Sequence, residues 1–169
     1  FYGCHYFIGF YYNPTTNPYM FGIGHLVTDT SYMFCDCYSL RTSESDGEAW
    51  LDMSLWPFDT SNVTNMKGMF KGLRSCSHLI IPDTFDTSNV TDMSEMFYGF
   101  NGYGSNKTIE LPSNFNTSKV TNMSKMFTRY HYDYELDRAG EVVEPTFDPT
   151  VPTVQSLDLS MFDTSNVED

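Results

Sequence analysis

The sequence predicts an α/β tandem-repeat solenoid, with one short parallel strand and one short helix or turn in each repeat. Three observations predict it: a motif that returns along the chain, apolar residues at helical spacing inside that motif, and short alternating stretches ahead of it. The motif Phe58-Asp59-Thr60-Ser61-Asn62-Val63-Thr64-Asn65-Met66 returns as Phe85-Asp86-Thr87-Ser88-Asn89-Val90-Thr91-Asp92-Met93. It returns again as Phe115-Asn116-Thr117-Ser118-Lys119-Val120-Thr121-Asn122-Met123, and a further copy, Phe162 to Val167, runs towards the C-terminus. Each complete copy ends in a Met-Phe pair: Met69-Phe70, Met96-Phe97 and Met126-Phe127. Self-similarity of this kind is the signature of a repeat architecture.

Within a copy, Val63, Met66, Met69 and Phe70 recur at i, i+3, i+6 and i+7, one face of a short helix. The preceding Asp59, Thr60, Ser61 and Asn62 are residue types that cap a helix N-terminus or form an Asx turn. Ahead of the next phenylalanine stand Leu51-Asp52-Met53-Ser54, Leu79-Ile80-Ile81-Pro82, Ile109-Glu110-Leu111-Pro112 and Leu157-Asp158-Leu159-Ser160. Alternation over so few residues reads as a very short strand, and proline, which lacks an N–H, ends it. One strand and one short helix per unit is the leucine-rich-repeat plan. No single unit buries its apolar stripe alone, so neighbours stack and the strands form a parallel sheet.

The anchor phenylalanines Phe1, Phe34, Phe70, Phe97 and Phe127 are spaced by 33, 36, 27 and 30 residues. After Phe34 the pattern places Cys37 and Leu40, and the beginning of the chain fits the same frame with Phe1, Cys4 and Phe7. After Phe70 three extra residues intervene, so that Cys76 and Leu79 resume the pattern. The whole of residues 1–169 therefore reads as a single array, a fragment open at both ends, with insertions at 8–20, 98–106 and 128–155.

The pattern LxLSxFDTSNVTxMxxMFxxCxxL, over roughly residues 21–169, resembles the BspA-like leucine-rich repeats of bacterial surface proteins, abundant in mycoplasma lipoproteins. The resemblance implies an extracellular or cell-surface array used in adhesion. The irregular spacing and the aromatic insertions depart from the family's usual regularity.

The formal charge of -13 and pI near 4.4 exclude nucleic acid, whose phosphates need a basic surface, and oppose docking on anionic lipid. No apolar run is long enough to insert into a membrane. The repeated methionines (Met66, Met93 and Met123 with Met69, Met96 and Met126) read as core packing rather than a soft-metal ladder. Cys4, Cys37 and Cys76 share a repeat position with Phe100 and Tyr130 and read as small apolar core groups; Cys35 alone is off that position. His5, His25, His78 and His131 are scattered and pair with no recurring acid or nucleophile, so no catalytic residue, metal ligand or cofactor is assigned. Formal glycosylation sequons at Asn62, Asn89, Asn116 and Asn122 lie in the motif, where turn formation explains them; only Asn106 falls in an insertion. Carboxylates in 133–144 suggest calcium, but their spacing does not match an EF-hand loop.

The insertions carry the candidate binding residues: Tyr11, Tyr12 and Tyr19, then Tyr98 and Tyr103, then Tyr130, Tyr132 and Tyr134. Tyrosines in loops give rigid amphipathic contact area for a protein or glycan partner, or else simply cover the flank of the array. The sequence thus points to a non-enzymatic extracellular binding or adhesion module. Its alternative is a structural protomer of a filament, surface layer or virion appendage that self-associates head to tail.

Overall fold

The structure, a computed structural model, describes residues 23–37, 40–45, 48–54, 56–73, 76–100, 108–128, 135–136, 142–143 and 160–168. The alternating stretches form the strands. β1 (Ser43–Ser45), β2 (Glu48–Asp52), β3 (His78–Ile80) and β4 (Thr108–Glu110) make one sheet in that spatial order. β2, β3 and β4 run parallel, with Leu51, Leu79 and Ile109 side by side and all buried. β1 folds back antiparallel along the outer edge of β2. A separate antiparallel pair joins β5 (Glu135–Leu136) to β6 (Val142–Val143) inside the longest insertion.

Of the short helix or turn expected in each unit, the Val-Met-Met-Phe segments take the turn. Among the described residues they are runs of tight turns, and the reason is visible in the backbone. Tyr32, Gly68, Glu95 and Lys125, at one repeat position, have φ of 55°, 59°, 58° and 57°, and Asp36, Gly72 and Gly99 repeat the left-handed conformation four residues on. Two such residues per unit interrupt a right-handed helix. Alternate N–H groups then serve two purposes. Met69 N–H donates back to Met66 within the coil (3.1 Å), whereas Gly68 and Phe70 N–H donate to Ser94 and Met96 of the next coil (2.8 and 2.9 Å). The same alternation holds for Tyr32, Phe34 and Asp36 towards Lys67, Met69 and Lys71, and for Glu95, Phe97 and Gly99 towards Ser124, Met126 and Thr128. A turn of right-handed residues also brings i and i+3 to one side, which is why helical spacing in the sequence is satisfied without a helix.

The left-handed positions also fix the alignment of the copies. Gly72 aligns with Asp36 and Gly99, so Leu73, fully buried, stands where Cys37 and Phe100 stand. Cys76 N–H donates to Leu73 as Leu40 N–H donates to Cys37, which puts Cys76 in the place of Leu40. The three-residue insertion expected after Phe70 is therefore absent, and Cys76 occupies a different repeat position from Cys37. Sequence spacing missed this because Leu73 and Cys76 are equally apolar and either fits the pattern.

Phenylalanines run through the core as a column. Phe34, Phe70, Phe97 and Phe127 follow one another with centroids 5.7, 5.7 and 5.4 Å apart and planes within 9° of parallel. Such offset stacking is favourable beyond the area it buries. Trp56 closes the described end of this column, 6.1 Å from Phe34 and edge-on to Phe58 at 5.6 Å. Val63, Met66, Met69, Val90, Met93, Met96 and Val120 complete the core.

Candidate functional site

The motif residues most tempting as functional groups are occupied between copies. Thr60, Thr87 and Thr117 are buried, and their hydroxyls donate to the carbonyls of Asp86, Asn116 and Asp163 at 2.8–2.9 Å. The amides of Asn62, Asn89 and Asn166 donate to the carbonyls of His25, Ser61 and Ser118 in the preceding copy. In the third copy Lys119 replaces this asparagine and reaches Asn89 Oδ1 at 2.7 Å. Asp59, Asp86, Asn116 and Asp163 each accept the N–H of the serine two residues on, which is an Asx turn. A second Asx column one turn later, Asp29, Asn65, Asp92 and Asn122, accepts the N–H groups of Ser31, Lys67, Ser94 and Ser124. There aspartate and asparagine alternate, and Asn65 donates to Asp29 Oδ2 at 3.1 Å, so neighbouring copies do not set two carboxylates against each other. The serine hydrogen bonds hold the Asp29 carboxyl below its usual value of 3.8, against the opposing effect of burial.

The cysteines among the described residues, Cys35, Cys37 and Cys76, are buried in the core. Burial pushes the Cys76 thiol up to about 12, and burial together with the neighbouring Asp36 carboxylate does the same for Cys35.

Of the sequence-assigned tyrosines, Tyr98 alone lies among the described residues; Tyr11, Tyr12, Tyr19, Tyr103, Tyr130, Tyr132 and Tyr134 lie outside them, as does most of the acidic 133–144 loop. Tyr98 is half-buried and is held in place by a charge. The Lys71 ammonium sits 4.8 Å from its ring centroid and 5.9 Å from that of Tyr32, and pairs with Glu95. Burial acts to lower the Lys71 pKa, but the hydrogen bond and charge of Glu95 outweigh it and the net shift is upward. This cluster knits three copies together along the turn side of the array.

The sheet brings together residues that sequence reasoning left apart. On its outward face, Trp50, His78 and Thr108 stand in register on three successive strands. His78 is stacked under Trp50, with centroids 3.9 Å apart and planes 17° from parallel. Its Nε2 meets Glu48 Oε2 at 2.7 Å and its Nδ1 meets Thr108 Oγ1 at 2.8 Å. A carboxylate, an imidazole and a hydroxyl in series can pass a proton along the row. The Thr108 N–H is bonded to Ser77 within the sheet and the imidazole is covered by Trp50, so the row ties three strands together and presents its aromatic surface outward. One step along the strands, Asp52, Ile80 and Glu110 form the next row, also in register. The signal was faint: Glu48, His78 and Thr108 are 30 residues apart and conform to no local motif.

Among the described residues no group of three or more His, Cys, Asp or Glu is arranged to hold a metal, and no helix is long and apolar enough to cross a membrane. Copies of the motif are hydrogen-bonded and stacked one on the next. A family profile described as "Mycoplasma protein of unknown function, DUF285" matches residues 45–139, and the chain belongs to that family, which is related to the BspA-like repeat proteins. No curated protein and no solved structure matches the chain.

Proposed function

We propose that this chain is a stretch of a leucine-rich-repeat-like solenoid that serves as a non-enzymatic, extracellular binding module, displayed at the cell surface to engage a protein or glycan. The observation that carries the reading is the outward face of the sheet. Its inner side is closed by Leu51, Leu79 and Ile109, while Trp50 and Ile80 stand half-buried on the outer side among Glu48, Asp52 and Glu110. A tryptophan placed outward on a rigid sheet supplies a large contact area with little entropy to lose on binding. The family match and its relation to surface repeat proteins support the extracellular setting.

Head-to-tail assembly is the competing reading. β1 lies antiparallel on the outer edge of β2, so a second copy cannot add a parallel strand there. The test is to probe the purified chain and its Trp50→Ala variant against arrays of matrix proteins and glycans. Specific capture that Trp50→Ala abolishes supports the reading. Capture indifferent to Trp50, or none at all on either array, sinks the sheet face as the binding surface.

A further inference from the structure

Resting on the reading of the sheet as a binding face, we infer that its occupant is a cationic, extended peptide segment with basic residues three positions apart, lying across the strands over Ile80 with its charges on Asp52 and Glu110. Three features of the face argue for this. The first is its sign: along the three parallel strands β2, β3 and β4 the acidic and basic side chains Glu48, Asp52 and Glu110 are all carboxylates, on a chain whose formal charge is -13. The second is spacing. Asp52, Ile80 and Glu110 are register partners on adjacent strands. Strands lie ~4.8 Å apart, which separates the two carboxylates by ~10 Å with an aliphatic side chain between them. A polyproline II segment repeats every three residues at 3.1 Å rise, so it presents side chains i and i+3 on one side ~9.3 Å apart. A β-strand would point those two residues to opposite sides. The third is the aromatic row alongside: Trp50, one of whose faces rests on His78, offers its other surface to a proline ring or a guanidinium.

The carboxylates differ in how free they are. Glu48 is engaged by His78, and Asp52 Oδ1 accepts the N–H of Ser54 at 2.8 Å. Glu110 is exposed. A ligand cation therefore gains most at Glu110 and next at Asp52.

The test uses the full chain and three probes: a peptide of repeated Lys-Pro-Val, its Glu-Pro-Val counterpart, and a neutral chitin hexasaccharide. The readout is the Trp50 indole N–H resonance, with the core Trp56 indole as the internal reference, since the chain has 2 tryptophans. The lysine peptide is expected to shift Trp50 and to weaken with added salt, whereas the glutamate peptide leaves it unmoved. Replacing Asp52→Asn and Glu110→Gln together should weaken the lysine peptide about 2- to 30-fold, from two exposed ion pairs of roughly 0.2–1 kcal/mol each. Both changes are isosteric, and asparagine can still accept from Ser54, so the variant folds. Binding insensitive to those substitutions overturns the inference, as does a hexasaccharide that shifts Trp50 when the lysine peptide does not. In either case capture lost with Trp50→Ala leaves the sheet intact as a binding face; if Trp50 is silent to all three probes and capture ignores it, both readings fail together.

Discussion

Replacing Thr87 with valine should cost far more than its small change in shape suggests. The Thr87 hydroxyl donates to the Asn116 carbonyl at 2.8 Å and accepts the Asn116 N–H at 2.7 Å, so one buried oxygen satisfies both backbone groups of the next copy's Asx residue. Valine keeps the volume and removes both bonds. Each buried backbone group left without a partner costs roughly 1–3 kcal/mol. Setting the added methyl, ~0.8 kcal/mol, against two such losses leaves a destabilisation of about 1–5 kcal/mol. Thr87→Ser keeps the hydroxyl and loses one methyl, so it should cost only about 1 kcal/mol. Urea unfolding followed by circular dichroism measures both. Thr164, the equivalent residue in the last copy, is exposed, so valine there should be close to neutral. If Thr87→Val is no worse than Thr87→Ser, the hydroxyl ladder does not hold the copies together and the reasoning fails.

Other perturbations follow from the same backbone. Gly68→Ala should destabilise by about 1–2 kcal/mol because the residue is left-handed, and more because the new Cβ would lie 2.5 Å from the Tyr32 ring. Combining it with Tyr32→Ala should remove the steric part, and a double-mutant cycle showing strict additivity would refute the contact. Asp29 has a folded pKa depressed below 3.8, so the stability it contributes is complete above that value and is lost as pH falls through the lower folded value. Asp29→Asn should therefore flatten the acid limb of the stability profile below about pH 4, and an unchanged limb in thermal melts would contradict the assignment. With its thiol raised to about 12 by burial, Cys76 should resist a thiol reagent at pH 8 until the chain unfolds. Rapid labelling of Cys76 in the native protein, located by peptide mass mapping, would show that the core opens there.

The tandem copies, the apolar columns and the turn-forming Asp-Thr-Ser-Asn run were all legible in the sequence, because each is a local pattern that the same residues repeat. Phe34, Phe70, Phe97 and Phe127 could be named as one column from spacing alone, and they stack as one. Which of the two, helix or turn, each unit takes was not legible. A helix and a turn of right-handed residues both place i and i+3 on the same side, and only the left-handed backbone of Gly68, Glu95 and Lys125 tells them apart. The candidate site was hidden for a different reason. Sequence reasoning ranked the tyrosines of the insertions, where composition stands out, and passed over His78 because it pairs with no recurring acid or nucleophile. Parallel pairing of β2, β3 and β4 carries Glu48 and Thr108 to its two ring nitrogens and lays Trp50 on its face. What repeats is dictated by burial and shows in each copy; what differs between copies becomes a surface only once the sheet fixes their register.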